Sequence, residues 1–295
     1  MIPCLLTFNI EEWFQVENLR PLFPPESWET IPRRVAGATR RVLRLLAEHQ
    51  IQSTFFVLGW VAEREPALVR EIAESGHEIA SHGHGHVMPM QLTLSEFRDD
   101  VVRARKVLED VSGREVVGYR APSFSIDHKR LTILQGCGFR YDSSHHPFGL
   151  HERYGRLGDL GAPIVPGVYR LGERMVELAL PVEHVGPVAL PVSGGGYFRL
   201  CPAALYRTLV ARSIARLGSY LMCLHSWEFD PEQPRVPGAG RARTARHYVS
   251  LSHTLPRMRR LIETLKGAGG CFMTARDFVE RVVAPGAPSP RVEGV

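Results

Sequence analysis

The feature that most limits how this chain can fold is a recurring alternation of short apolar runs with longer amphipathic stretches. Residues 2–10 (IPCLLTFNI) form one such run. Thr30 and Pro32 can open a helix to about Gln50, which gathers Val35, Ala38, Val42, Leu45 and Leu46 on one face. Runs at 51–58, 77–80, 115–119, 139–142, 219–224 and 270–273 read as further strands. Stretches at 65–75, 94–112, 127–137, 202–217, 251–266 and 275–283 read as helices, the second of these capped by Thr93 or Ser95. Strand and helix units repeated in this way predict an α/β barrel, whose chemistry stands at the C-terminal ends of its strands.

The rhythm breaks between His145 and Val192, where Gly, Pro and short apolar runs predict a long insertion of small strands and loops over the barrel mouth. One domain over 1–283 is expected, followed by a Pro-, Gly- and Ser-rich tail at 284–295 that reads as disordered.

Charge excludes some functions. The formal net charge is +5, but the arginines are spread along predicted helices and no nucleic-acid motif accompanies them. No nucleic-acid partner is expected; attraction to an anionic substrate, or a peripheral contact with a membrane surface, stays open. Five cysteines without a CxxC pair argue against a disulfide framework or a Cys-type zinc site. There is no apolar run of transmembrane length and no signal-peptide pattern, so a cytoplasmic location is expected. Oligomeric state is not legible.

Chemistry concentrates in residues 76–86, GHEIASHGHGH, where a strand runs into a glycine-broken turn carrying His82, His84 and His86. Neutral imidazoles are common metal ligands, and two of them four residues apart can reach one ion; such a run can also be a solvated polar loop. Other reactive groups also fall at predicted strand ends: Glu11, Glu12, Arg120, Asp142 and His225.

Taken together, TFNIEEWFQV at 7–16, STFFVLGWVAE at 53–63, GHEIASHGHGH at 76–86, GYRAPSFSI at 118–126, FRYDSSHHP at 139–147, SGGGYFRL at 193–200 and LHSWEFDPEQPR at 224–235 resemble the NodB-homology polysaccharide deacetylases of carbohydrate esterase family 4. Within that family they look most like the subgroup found with exosortase-linked (PEP-CTERM) exopolysaccharide loci. The resemblance implies a distorted (β/α)7 barrel acting on an acetylated saccharide, and a divalent metal, zinc first with cobalt or nickel as alternatives. It maps the metal-binding histidines onto His82 and His86, the general acid onto His225, and the arginine that orders the catalytic carboxylate onto Arg120. Strand alternation puts Asn9 and Glu11 on one face, making Glu11 the metal carboxylate, with Glu12 as the alternative.

Asp142 is expected either to orient His225 or to cap the Ser143–Ser144 turn. Tyr197, Trp227 and Phe124 are candidate walls for an acetyl group or sugar ring, or ordinary core aromatics. Gly194 to Gly196 could admit an oxyanion or form a tight turn.

One position departs from the family pattern. Asn9 stands where the family's aspartate base belongs, and an amide is a poor proton acceptor. Glu12, or Glu11, could take over as base, or attack could proceed without a separate base. Other outcomes are a protein that binds acetyl-sugars without hydrolysing them, and an amidohydrolase acting on a non-sugar amide.

Overall fold

A computed structural model describes residues 1–148, 157–238 and 240–283. Its axis is β1 (Ile2–Ile10), which alternates as expected: Cys4, Leu6, Phe8 and Ile10 enter the larger apolar core, whereas Leu5 joins a second core with Phe56, Ala80, Tyr141 and Cys223. Thr7, Asn9 and Glu11 continue along the face of Leu5, so period-2 geometry alone delivers polar groups to that face at the strand's end.

After β1 come α1 (Val35–Glu48), β2 (Thr54–Val57), α2 (Gly59–Arg64), α3 (Pro66–Glu74), β3 (Glu78–Ser81) and α4 (Leu94–Ser112). Next are β4 (Gly118–Tyr119), α5 (His128–Gly136) and β5 (Tyr141–Asp142). Thr93 is the cap of α4, in a reciprocal box with Glu96. Helix α1 begins at Val35, later than predicted, because residues Pro25–Thr30 form a 3-10 turn of their own. The short helix α2 escaped the sequence reading: six residues give too little periodicity to detect.

The stretch expected to be an insertion contributes to the main sheet. It holds β6 (Pro163–Val165), β7 (Val168–Leu171), β8 (Met175–Leu178), β9 (Val182–Val185) and β10 (Val188–Pro191). Strand β8 pairs in parallel with β5, Asp142 standing opposite Glu177, and β7 and β6 follow antiparallel. Strands β9 and β10 form a separate hairpin. Runs of three or four residues are too short for alternation to reveal. Residues 149–156 of this stretch, and the tail read as disordered, lie outside the described residues.

The chain closes with α6 (Gly195–Leu200), α7 (Ala203–Leu217), β11 (Tyr220–His225), α8 (Arg241–Tyr248), α9 (Leu251–Gly267), β12 (Gly270–Phe272) and α10 (Ala275–Val283). One edge of β1 pairs with β11, from Cys4 opposite Tyr220 to Asn9 opposite His225. The other edge is shared by β2 and β12, all in parallel. The full path is β11-β1-β2-β3-β4-β5-β8-β7-β6, an α/β fold with a mixed, largely parallel sheet. Its register sets Asn9 and His225 side by side, and the loops after β3 and β4 beside them.

Candidate active site

At the C-terminal ends of β1, β3 and β11 lies a cavity of about 590 Å³. Glu11, His82 and His86 converge in it, their ligand atoms all within 4.8 Å of one another. Glu11 Oε2 is 2.6 Å from His86 Nε2 and 3.9 Å from His82 Nε2. His82 Nδ1 donates to the Arg120 carbonyl at 2.7 Å, so its Nε2 presents a lone pair. His86 adopts a left-handed backbone (φ 51°), uncommon for a side-chain-bearing residue, and Arg20 Nη1 donates to its carbonyl at 2.8 Å.

Does this set fit a metal? Glu11 Oε2 is buried with no well-directed hydrogen-bond donor, its near neighbour being His86 Nε2 at 2.6 Å, an arrangement costly for a carboxylate unless a cation shares it. Two imidazoles and one carboxylate are also the donor set of open, catalytic zinc sites. Burial works against ionising Glu11, yet His86, His225 and His82 together hold it below the usual carboxylate range. Burial, then the neighbouring His86, depresses His82 to about 3, keeping it neutral as a ligand must be. His84, the third histidine of the run, turns away and meets Glu63 at 3.1 Å.

Beneath the triad, Arg120 is fully buried, with its guanidinium carbon 4.0 Å from the Phe56 ring centroid. It donates to Thr7 Oγ1 (2.8 Å), Asn9 Oδ1 (3.1 Å), Ser143 O (3.0 Å) and Ser143 Oγ (2.9 Å). The bond to Oδ1 settles the orientation of the Asn9 amide, whose Nδ2 then donates to His82 Nε2 at 3.2 Å. Asn9 thus bridges Arg120 and a triad histidine.

The opposite wall is built on His225. Its Nε2 lies 3.8 Å from Glu11 Oε1, and its Nδ1 lies 3.1 Å from Glu228 Oε2. The same Oε2 accepts the His225 backbone N–H at 2.9 Å, and Arg199 Nε donates to the other oxygen, Oε1, at 2.9 Å. Burial opposes the charge on Glu228, but Arg199 and His225 hold it below the usual carboxylate range. For His225, burial favours the neutral ring while Glu11 and Glu228 raise its pKa on balance. Glu228 and Arg199 were missed in the sequence, although a carboxylate three residues beyond a strand-end histidine was a readable signal.

One expectation is corrected and one alternative is decided. Glu12 does not face the cavity: its carboxylate accepts the backbone N–H groups of Arg34 and Val35 at 2.9–3.1 Å and caps the start of α1. Burial pushes it up to about 7. The two residues just past the end of β1 keep its alternation, Glu11 facing the histidines and Glu12 the start of α1. Asp142 does not reach His225 either; its Oδ1 accepts from Ser144 Oγ at 2.7 Å, the turn-capping alternative. Burial raises Asp142 to about 6, and burial with repulsion from Asp142 raises Glu177 well above the carboxylate range.

The aromatic candidates Tyr197, Trp227 and Phe124 all line the cavity. Trp227 also donates from Nε1 to Glu11 Oε1 at 3.1 Å and stacks on His247 at 4.3 Å between centroids. Ser123 and Phe124 both have positive φ (53° and 54°), in the loop that follows Arg120. Gly194 to Gly196 begin α6, and a Cβ on Gly195 would lie 2.1 Å from both carboxylate oxygens of Glu228. The glycine there makes room for Glu228.

Residues 27–141 match the family model described as polysaccharide deacetylase, and residues 143–277 match a domain of unknown function. A peptidoglycan deacetylase of Helicobacter pylori is 29% identical over 121 residues, covering 40% of this chain and 41% of the relative. The chain therefore spans less than half the length of that curated relative. Among solved structures, a family 4 carbohydrate esterase from Streptomyces lividans superposes with a TM-score of 0.51 at 16% identity, over 91% of this chain and 90% of the other. A family 4 pseudoenzyme from Bacillus anthracis superposes with a TM-score of 0.54 at 13% identity, over 94% of this chain and 64% of the other. These structural likenesses establish the fold, and the sequence matches identify a polysaccharide deacetylase region within residues 27–141.

Proposed function

We propose that this protein is a metal-dependent hydrolase that removes acetyl groups from an N- or O-acetylated sugar. The observation that carries the reading is the convergence of Glu11, His82 and His86 on one side of a cavity whose other side presents His225. A divalent ion held by Glu11, His82 and His86, zinc first, would polarise an acetyl carbonyl and lower the pKa of a neighbouring water.

The chain's own groups supply the remainder. Arg120 fixes the Asn9 amide and, through its carbonyl, the His82 ring. Trp227 holds the second oxygen of Glu11, leaving Oε2 for the metal. His225 delivers a proton to the departing nitrogen or oxygen. A cavity of about 590 Å³ is of the size that takes a sugar or short oligosaccharide. The motif-level resemblance to the exosortase-associated subgroup favours an exopolysaccharide under assembly as the source of that sugar.

A second reading has its own support. Asn9 supplies an amide where a base is expected, and no carboxylate lies within ion-pairing distance of Arg120 among the described residues. A protein that binds acetyl-sugars without turning them over would look like this, and one structural neighbour is a pseudoenzyme.

Acetate release from N-acetyl and O-acetyl sugars separates the two. The protein is stripped by chelator and then given zinc, cobalt or nothing. Metal-restored release supports the hydrolase; tight metal uptake and sugar binding without release leaves the binding protein.

A further inference from the structure

We infer that His225, clamped by Glu228 and Arg199, performs both proton transfers of the hydrolysis, first as base towards water and then as acid towards the leaving atom. The inference rests on the deacetylase reading and specifies how a site without the usual aspartate can work.

Glu11 is committed to the triad and to Trp227. Glu12 is turned onto the N-terminus of α1. Asp142 and Glu177 are buried beside Ser144 and do not line the cavity. Asn9 can donate through Nδ2, but its Oδ1 is occupied by Arg120. Besides Glu11 and Glu228, Glu17 is the other carboxylate on the cavity wall among the described residues.

His225 has what a base needs. The Glu228 carboxylate can only accept, so the imidazole proton is on Nδ1 and the Nε2 lone pair points towards the Glu11 side of the cavity. Three contacts hold this tautomer: Glu228 Oε2 takes both the ring and backbone N–H of His225, and Arg199 anchors Oε1. Arg199 is in turn fixed by donating from Nη1 to the carbonyls of His247 and Val249. Glu228 and Arg199 are positioning residues; only His225 meets the reacting atoms.

The protons balance. As the water oxygen bonds to the acetyl carbonyl carbon, one water proton passes to His225 Nε2. As the C–N or C–O bond breaks, that proton passes from Nε2 to the leaving nitrogen or oxygen. The products are acetic acid and the free amine or hydroxyl; one water is consumed and His225 returns neutral.

An activated ester separates this from an acid-only role, because 4-nitrophenolate leaves without needing a proton. Zinc-dependent turnover of 4-nitrophenyl acetate and of an N-acetylglucosamine trimer is measured for wild type, His225→Ala, Glu228→Gln and Glu17→Gln. Zinc stoichiometry and thermal melting of each variant are followed in parallel. Loss of both activities in His225→Ala by about 100-fold or more, with zinc content intact and added imidazole restoring ester turnover, is the expected result. Glu228→Gln, close in shape, lowers kcat by about tenfold on both substrates and leaves KM in place.

Ester turnover retained within about threefold in His225→Ala, while trimer turnover is lost, would limit His225 to the acid role and overturn the inference. Loss of ester turnover in Glu17→Gln alone would move the base there and overturn it equally. If zinc-loaded wild type hydrolyses neither substrate, the deacetylase reading itself falls, and the inference with it. That pattern cannot be confused with the previous two.

Discussion

The two walls of the cavity are built on different principles. On the triad wall each side chain is placed by its own strand or turn: Glu11 by the alternation of β1, His82 and His86 by the turn after β3. On the His225 wall, β11 delivers the histidine, but its chemistry is set by Glu228 from the following turn and by Arg199 from α6, 29 residues from Glu228. Local geometry aims each side chain of the first wall, and the pairing of parallel strands then brings them together. The second exists only once distant segments have packed, so it is the more sensitive to changes that touch neither substrate nor metal.

The sharpest way to break this contrast is His82→Ala. It removes a ligand from the triad wall, so zinc stoichiometry and acetate release should both fall to background while the His225 wall stays assembled. Measuring bound zinc beside activity shows whether the walls are separable; zinc retained in full would remove His82 from the site.

Asn9→Asp sharpens the comparison from the other side. It places a carboxylate against the Arg120 guanidinium and within reach of the triad, and should raise acetate release by about tenfold or more. Release appearing only in Asn9→Asp, from a background level in the natural protein, would favour the non-hydrolysing reading.

Gly195→Ala tests the packing that the His225 wall depends on. The added methyl collides with the Glu228 carboxylate, so a stability loss of about 1–3 kcal/mol is expected from overpacking. Acetate release should drop as in Glu228→Gln, with zinc binding unaffected.

Glu12→Gln probes a carboxylate that belongs to neither wall. Its pKa in the folded protein is raised from 4.5 to about 7, so the native state holds a proton that the unfolded chain has already released. Stability should therefore be greatest below about pH 4.5 with respect to this group and decline as pH rises towards 7, by up to about 3 kcal/mol. Glutamine should flatten that part of the urea-midpoint profile and leave turnover unchanged.

The smallest effect is expected for Thr93→Ala, remote from both walls. Losing the cap of α4 should cost about 1 kcal/mol in chemical denaturation with no change in activity.

Much of the site was legible because strand ends are legible. Alternation along β1 separated Glu11 from its neighbour, and the 82–86 spacing marked the histidines that the fold brings to Glu11. Glu12 was misread for a physical reason: nothing in the sequence says that the helix opening at Val35 would present unpaired N–H groups to it. For Asp142 the sequence left two roles open, and the turn-capping one, with Ser144 two residues on, is what the structure shows; its other neighbour, Glu177, comes from a stretch whose strands are too short to show a period. The same weakness hid β8, and with it the fact that residues 175–178 belong to the main sheet.

By itself, then, the sequence determined the α/β alternation, the residues at the ends of β1, β3, β4 and β11, and the departure at Asn9, since each follows from local periodicity or from side-chain chemistry. Only the tertiary structure decided which partner the other carboxylates serve. Glu12 went to a helix and Glu228 to His225, and of the two roles open to Asp142 packing chose the turn, because a buried carboxylate is assigned by the donors that packing brings within 3 Å or so of it, and those donors come from anywhere in the chain.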